Sequence, residues 1–212
     1  MAKPKNTVVN FVLDETGSML SVKVATISGF NEYLVGLKES KAKVWMTLTK
    51  FNSTKVEVVH DAVLVKDVPD LNEKTYVPEH LTPLYDAIGK TIRATEEALK
   101  KKRGKPAVLC VIMTDGLENA SKEYTREGIF NLIEEKTKEG WTFAYLGANQ
   151  DAYAVGESIG VARGSSLNFA GTPDGVAVAT SAMAMATRSY LDSGSQQTAD
   201  FFEKSDCDAS GD

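Results

Sequence analysis

Residues 8–19 read VVNFVLDETGSM, and the way this run ends decides the fold. Residues 7–13, TVVNFVL, are β-branched and apolar with little polar alternation, as in a strand covered on both faces. The run stops at Asp14, and Thr16 and Ser18 follow on alternate positions. A chain leaving a core strand has no packing use for a carboxylate and two hydroxyls there. Oxygen atoms gathered at a strand end point to something that binds oxygen. A strand covered on both faces needs helices above and below it, and in such open sheets ligands bind beyond the carboxyl ends of the strands.

Working outward, strand and helix patterns alternate. Residues 19–38 place Met19, Val22, Ile27, Phe30, Leu34 and Leu37 at helical spacing. Residues 43–51, KVWMTLTKF, and 55–59, KVEVV, flank NST, which predicts a tight turn and one antiparallel edge. Residues 61–81 carry no clear period. Residues 84–100 put Leu84, Ile88, Ile92 and Leu99 on one helical face. PAVLCVIM, residues 106–113, is the most apolar run and reads as a central strand. A helix over 125–139 with Ile129, Leu132 and Ile133 inward follows, then a strand over 141–147. A short helix at 150–158, a weak strand at 166–169 and an alanine-rich helix over 174–191 complete the pattern. The expected fold is α/β and doubly wound: a mostly parallel central sheet with one antiparallel edge strand and helices on both faces. Residues 1–192 are expected to form the domain. Residues 193–212, polar and acidic, are expected to form a mobile tail with Phe201 and Phe202 as its strong apolar pair.

Bulk properties narrow the function. With 212 residues the chain suits one large domain. Its net charge of -5 disfavours nucleic acid and anionic membrane as partners. No apolar stretch approaches membrane-spanning length. The N-terminal apolar run is short, ends in an acid and lacks a small-residue cleavage site, so no secretory signal is expected. Cys110 lies in a core strand and Cys207 in the polar tail, a poor pair for a disulfide. A reducing, cytoplasmic location is expected.

The residues just after each strand carry the chemistry. Asp14, Thr16 and Ser18 follow the first strand, and Thr114, Asp115, Gly116, Leu117, Glu118 and Asn119 follow the central one. EHLTPLYDAI brings Thr82 just before a helix. Each piece has an ordinary structural reading. Asp14 to Ser18 could cap a helix, Thr82-Pro83 is a good cap followed by proline, and Asp115-Gly116 is a common turn. Together, two carboxylates and several hydroxyls without clustered His or Cys suggest a hard cation. Magnesium fits best, with manganese or calcium as substitutes, although a tight calcium cage would use more carboxylates. Asp14 and Asp115 only balance a divalent charge, so a partner's carboxylate is a natural further ligand. Glu15, His80, Glu118 and Asn119 stand beside these positions as candidates to support the ligands or touch a partner; an exposed loop histidine is the simpler reading of His80, and a plain loop start fits Glu118-Asn119 equally well.

Other chemistries fit less well. A phosphatase of the haloacid dehalogenase type needs a second aspartate two residues after the first, where this chain has Thr16. GKT at 89–91 lacks the first glycine of a phosphate loop, since Leu84 stands there, and it lies inside a helical pattern. Ser18 as a nucleophile needs a base, and the histidines are His60 and His80. KKKRGK at 100–105 reads as a basic helix end stopped by Gly104.

DETGSM resembles the D-x-S-x-S signature of the metal-ion-dependent adhesion site in von Willebrand factor type A domains. LTPLYDAI resembles that family's threonine-bearing loop, and VIMTDGLEN its later aspartate motif. The motifs come in the family's order, and the strand–helix match covers about residues 7–191. The resemblance implies metal roles for Asp14, Thr16, Ser18, Thr82 and Asp115, some direct and some through water. Thr16 replaces the family's usual serine, keeping the hydroxyl and adding a methyl. Stand-alone bacterial and phage type A proteins are the most similar group, with LGANQDA and the alanine-rich helix in common. The resemblance implies a magnesium-dependent module that binds a protein partner's Asp or Glu. The alternatives are a metal-dependent hydrolase, or a scaffold subunit working with an ATPase or a stress-response complex.

Overall fold

The computed structural model describes residues 6–102 and 104–202. Six strands, β1 (Thr7–Asp14), β2 (Val44–Asn52), β3 (Lys55–Leu64), β4 (Ala107–Thr114), β5 (Thr142–Ala148) and β6 (Ser166–Phe169), form one sheet in the order β3-β2-β1-β4-β5-β6. All neighbours pair in parallel except β2 and β3. Five helices cover it: α1 (Lys23–Lys38), α2 (Leu84–Lys100), α3 (Arg126–Lys138), α4 (Ala152–Ser158) and α5 (Pro173–Asp192).

β1 and β4 are buried along their whole length because both of their faces carry helices. Alternation along β1 sorts its side chains. Val9, Phe11 and Leu13 face one layer, where Phe30, Tyr33 and Leu34 of α1 and Met183 of α5 pack. Val8 and Val12 face the other, with Ile88 and Ile92 of α2 and Ile129 and Ile133 of α3. The strand order runs outward in both directions from the β1–β4 pair. The crevice beyond their carboxyl ends is therefore the switch point at which open α/β sheets bind ligands. Leu13 pairs with Met113, so Asp14 and Thr114 leave the sheet side by side.

Three expectations change in detail. The helical run from residue 19 is divided: a 3-10 turn, Gly17–Val22, precedes α1. β3 continues to Leu64 instead of stopping near residue 59. Its pairing with β2 shifts register twice, and Ala62 takes a left-handed φ of 46° while its N–H donates to Thr47 Oγ1 at 3.1 Å. Such irregularity erases the period-two pattern by which a strand is read. The segment after α5 is the third change. It was expected to be mobile, yet residues 193–202 dock on the domain. Ser195 Oγ bonds Thr7 Oγ1 at 2.8 Å, Thr198 N–H donates to Thr142 Oγ1 at 3.2 Å, and Ser165 Oγ donates to the Ala199 carbonyl at 2.9 Å. Phe201 is buried against Tyr190, with ring centroids 6.1 Å apart. Apolar burial of one phenylalanine overrides the polar composition around it. Residues 203–212, including Cys207, lie outside the described residues. Among the described residues no helix is long and apolar enough to cross a membrane.

Candidate metal centre

Asp14 closes β1 and is fully buried. Its Oδ1 accepts the Thr16 N–H at 2.8 Å and its Oδ2 accepts the Thr114 hydroxyl at 2.5 Å. These bonds aim the carboxylate at the loop that follows it. Thr16 Oγ1 lies 3.2 Å from Ser18 Oγ, and the Ser18 hydroxyl donates to Asp115 Oδ1 at 2.5 Å. Thr82 arrives on the loop before α2. A Cβ on Gly116 would stand 2.9 Å from Thr82 Oγ1 and 3.7 Å from Ser18 Oγ, so only glycine lets the three segments meet so closely. The five residues expected to hold a metal thus converge on one spot.

The ordinary structural readings of these residues are not what the fold uses. The Thr82 side chain does not cap α2, and the Thr16 side chain does not cap the 3-10 turn. The amides at the start of α2 are taken instead by the third segment: Tyr85 N–H donates to Glu118 Oε2 at 2.9 Å and Asp86 N–H to Ser121 Oγ at 3.1 Å. The hydroxyls of Thr16 and Thr82 are left facing the crevice residues.

The flanking residues expected near the site serve different ends. Asn119 locks the Thr82 loop: Thr82 N–H donates to Asn119 Oδ1 at 2.8 Å, and Asn119 N–H returns to the Thr82 carbonyl at 3.1 Å. Glu118 also accepts the N–H groups of Ala120 and Ser121 and the Ser121 hydroxyl, so its carboxylate is fully occupied as a loop brace. His80 contributes its carbonyl, which accepts Gly17 N–H at 3.0 Å. Its side chain is exposed, with Nε2 3.6 Å from Glu79. Glu15 is a correction as a partner contact. It is buried, 2.8 Å from Lys50 Nζ, and accepts Val77 N–H at 2.8 Å. The Lys50 ammonium and the Val77 amide hold it inside the protein.

Residues with no expected role of their own complete the support. Thr114, placed with Asp115 at a strand end but not among the expected ligands, holds Asp14. Tyr76 donates its hydroxyl to the Asp14 carbonyl at 2.6 Å, and Lys50 ties Glu15 to the Thr75 carbonyl. Tyr76 sits in a stretch without periodicity, so no local pattern marks it.

Burial pushes the Asp14 carboxyl up to about 6, against the lowering effect of the Thr114 and Thr16 bonds, with the Asp115 charge adding to the rise. Asp115 is also raised by burial, opposed by its bond from Ser18. Two carboxylates held in one desolvated crevice are short of positive charge. A divalent cation would supply that charge, and hydroxyls would complete its oxygen shell without adding negative charge. Among the described residues no group of three or more His, Cys, Asp and Glu forms a metal cluster. The donor set is instead two carboxylates and three hydroxyls, which fits a hard cation rather than a soft one.

This arrangement defines a class: an open α/β domain with an oxygen-lined crevice where the strand order turns. No family pattern and no curated protein sequence matches the chain. Solved structures do. Proximal thread matrix protein 1 from the mussel byssus superposes with a TM-score of 0.62 at 11% identity, covering 85% of this chain and 45% of that one. The pilus adhesin SpaC from Lactobacillus rhamnosus GG, in its open conformation, gives 0.61 at 14% identity over 88% of this chain and 30% of that one. A form of the mussel protein with a zinc-occupied MIDAS motif gives 0.58 at 12% identity, over 85% and 48%. The chain spans under half the length of each of these neighbours. Its fold is that of the von Willebrand factor type A domain.

Proposed function

We propose that this chain is a metal-dependent protein-binding module. Asp14, Thr16, Ser18, Thr82 and Asp115 hold magnesium, and an Asp or Glu of a partner protein adds its carboxylate to the ion. The observation that carries this reading is the meeting of two carboxylates and three hydroxyls across Gly116, on segments interlocked by the Asn119–Thr82 and His80–Gly17 bonds. When bound, the metal supplies an electrophilic centre whose charge the two aspartates only balance, so it still attracts an anion. The zinc at the MIDAS motif of the mussel neighbour supports a metal at this place in the fold. Manganese or calcium would substitute for magnesium in the same oxygen set. Binding is favoured over hydrolysis because the position two residues after Asp14 holds Thr16, which carries no transferable acidic proton. A stand-alone chain of bacterial or phage type, working in the cytoplasm, is part of the proposal, and the buried free thiol of Cys110 agrees with it.

The test is affinity capture from native lysate with and without chelator, using the intact chain and Asp14→Ala. Partners captured by the intact chain in magnesium should be absent in chelator and with Asp14→Ala. Retention of every partner under both conditions refutes metal bridging. Phosphate release from generic phosphoesters, lost in Asp14→Ala, would restore the hydrolase reading.

A further inference from the structure

The three segments that deliver the metal ligands share a second property. Each presents a leucine to solvent beside its ligand: Leu20 two residues after Ser18, Leu81 just before Thr82, and Leu117 two residues after Asp115. They are 62%, 57% and 60% exposed. The other exposed large apolar side chains among the described residues are valines and one methionine, so every exposed leucine there lies beside a ligand. Folding does not demand this. The neighbours Met19, Leu84 and Met113 are buried, so the core is supplied from the same segments without the leucines.

The three leucines border one spot. Gly116 approaches Thr82 and Ser18 closely enough that an added Cβ would contact both hydroxyls, which brings the backbones bearing Leu20, Leu81 and Leu117 together around the ligands. Glu79, His80 and Asn119 are exposed beyond them and supply a polar rim. An apolar ring inside a polar rim is the anatomy of a protein-binding hot spot.

We infer that Leu20, Leu81 and Leu117 form an apolar collar that selects a partner segment in which one Asp or Glu is flanked by large apolar side chains. The inference rests on the metal-ligation reading given above. The two aspartates leave little net positive charge at the ion, and water competes for the open position. A partner whose apolar side chains cover the collar drives that water out and lowers the local dielectric, which strengthens the carboxylate–cation bond. An acidic segment with polar flanks leaves the leucines wet and the bond screened.

A random peptide library displayed within a phage coat loop, so that no free carboxyl terminus is offered, is panned on the full chain in magnesium and eluted with EDTA. The expected clones carry an acidic residue with Leu, Ile, Phe, Met or Val one or two positions away. The triple variant Leu20→Ser, Leu81→Ser, Leu117→Ser should keep the rise in melting temperature on adding magnesium and bind these clones about tenfold or more weakly. The single Leu→Ser variants carry the same comparison should the triple variant fail to fold. EDTA-eluted clones with an acid but no apolar enrichment overturn the collar and leave metal ligation standing. The same holds for leucine variants that bind as well as the intact chain. No EDTA-eluted clones, from a chain whose melting temperature does rise with magnesium, overturn metal ligation and the collar with it.

Discussion

Asp14→Asn separates what the buried carboxylate costs the fold from what it does for a metal. Without metal, burial lifts the Asp14 carboxyl from 3.8 to about 6. The folded state then holds this proton more tightly than the unfolded chain does. Stability is highest where the group is protonated in both states and declines as pH rises from about 4. The decline levels off once pH passes the folded-state value. The full penalty, present at pH 7, is ~3 kcal/mol. Asn removes the charge and keeps the shape. It retains one acceptor oxygen where the carboxylate accepts from both Thr16 N–H and Thr114 Oγ1, which returns ~1 kcal/mol of the gain. The net expectation in chelator is a D14N protein more stable than wild type by ~1–2 kcal/mol, or about 4 °C for a domain of this size. Magnesium reverses the order. At a hundredfold excess over its dissociation constant it stabilises the wild type by ~2.7 kcal/mol and leaves D14N unmoved. Differential scanning calorimetry at pH 7 in EDTA and in magnesium, with a pH series in EDTA, reads both halves. A D14N protein that melts several degrees below wild type in EDTA, with magnesium shifting both alike, refutes the reasoning.

Gly116→Ala brings a methyl 2.9 Å from Thr82 Oγ1 and should weaken magnesium about tenfold by titration calorimetry, with little change of melting temperature in chelator. Lys50→Met strands the Glu15 carboxylate in the interior and should destabilise by ~3–5 kcal/mol in urea unfolding, much of it recovered when Glu15→Gln is added. Phe201→Ala should lower stability by ~3 kcal/mol, and an unchanged denaturation midpoint would show that residues 193–202 are not part of the folded unit.

The fold was legible where burial writes a period. The apolar runs of β1 and β4 and the spaced leucines and isoleucines of α2 and α3 each place a layer, and the structure keeps them within a residue or two. The gathering of Asp14, Thr16, Ser18 and Asp115 was legible because they close or follow parallel strands, whose carboxyl ends border one crevice; Thr82 enters it from the loop before α2. What stayed hidden depends on contacts remote in sequence. β3 runs past residue 59 only because β2 accommodates its bulge. Glu15 turns inward only because Lys50, thirty-five positions on, meets it. Phe201 is core only because Tyr190 and the loop at Ser165 leave room for it. Composition averages over such pairs, so an acidic segment with one docked ring reads as free chain.

The docked segment has a consequence for how the domain can be mounted. Ser195 bonds Thr7 at the amino end of β1, Thr198 bonds Thr142 at the amino end of β5, and Phe202 N–H bonds the Gly164 carbonyl just before β6. The first and last described residues therefore lie at the same pole, by the amino ends of β1 and β6, opposite the crevice. A tether, a fused domain or a sensor surface attached at either end leaves that crevice facing outward. Two copies joined through those ends would point their crevices in opposite directions, like the jaws of a double-ended clamp.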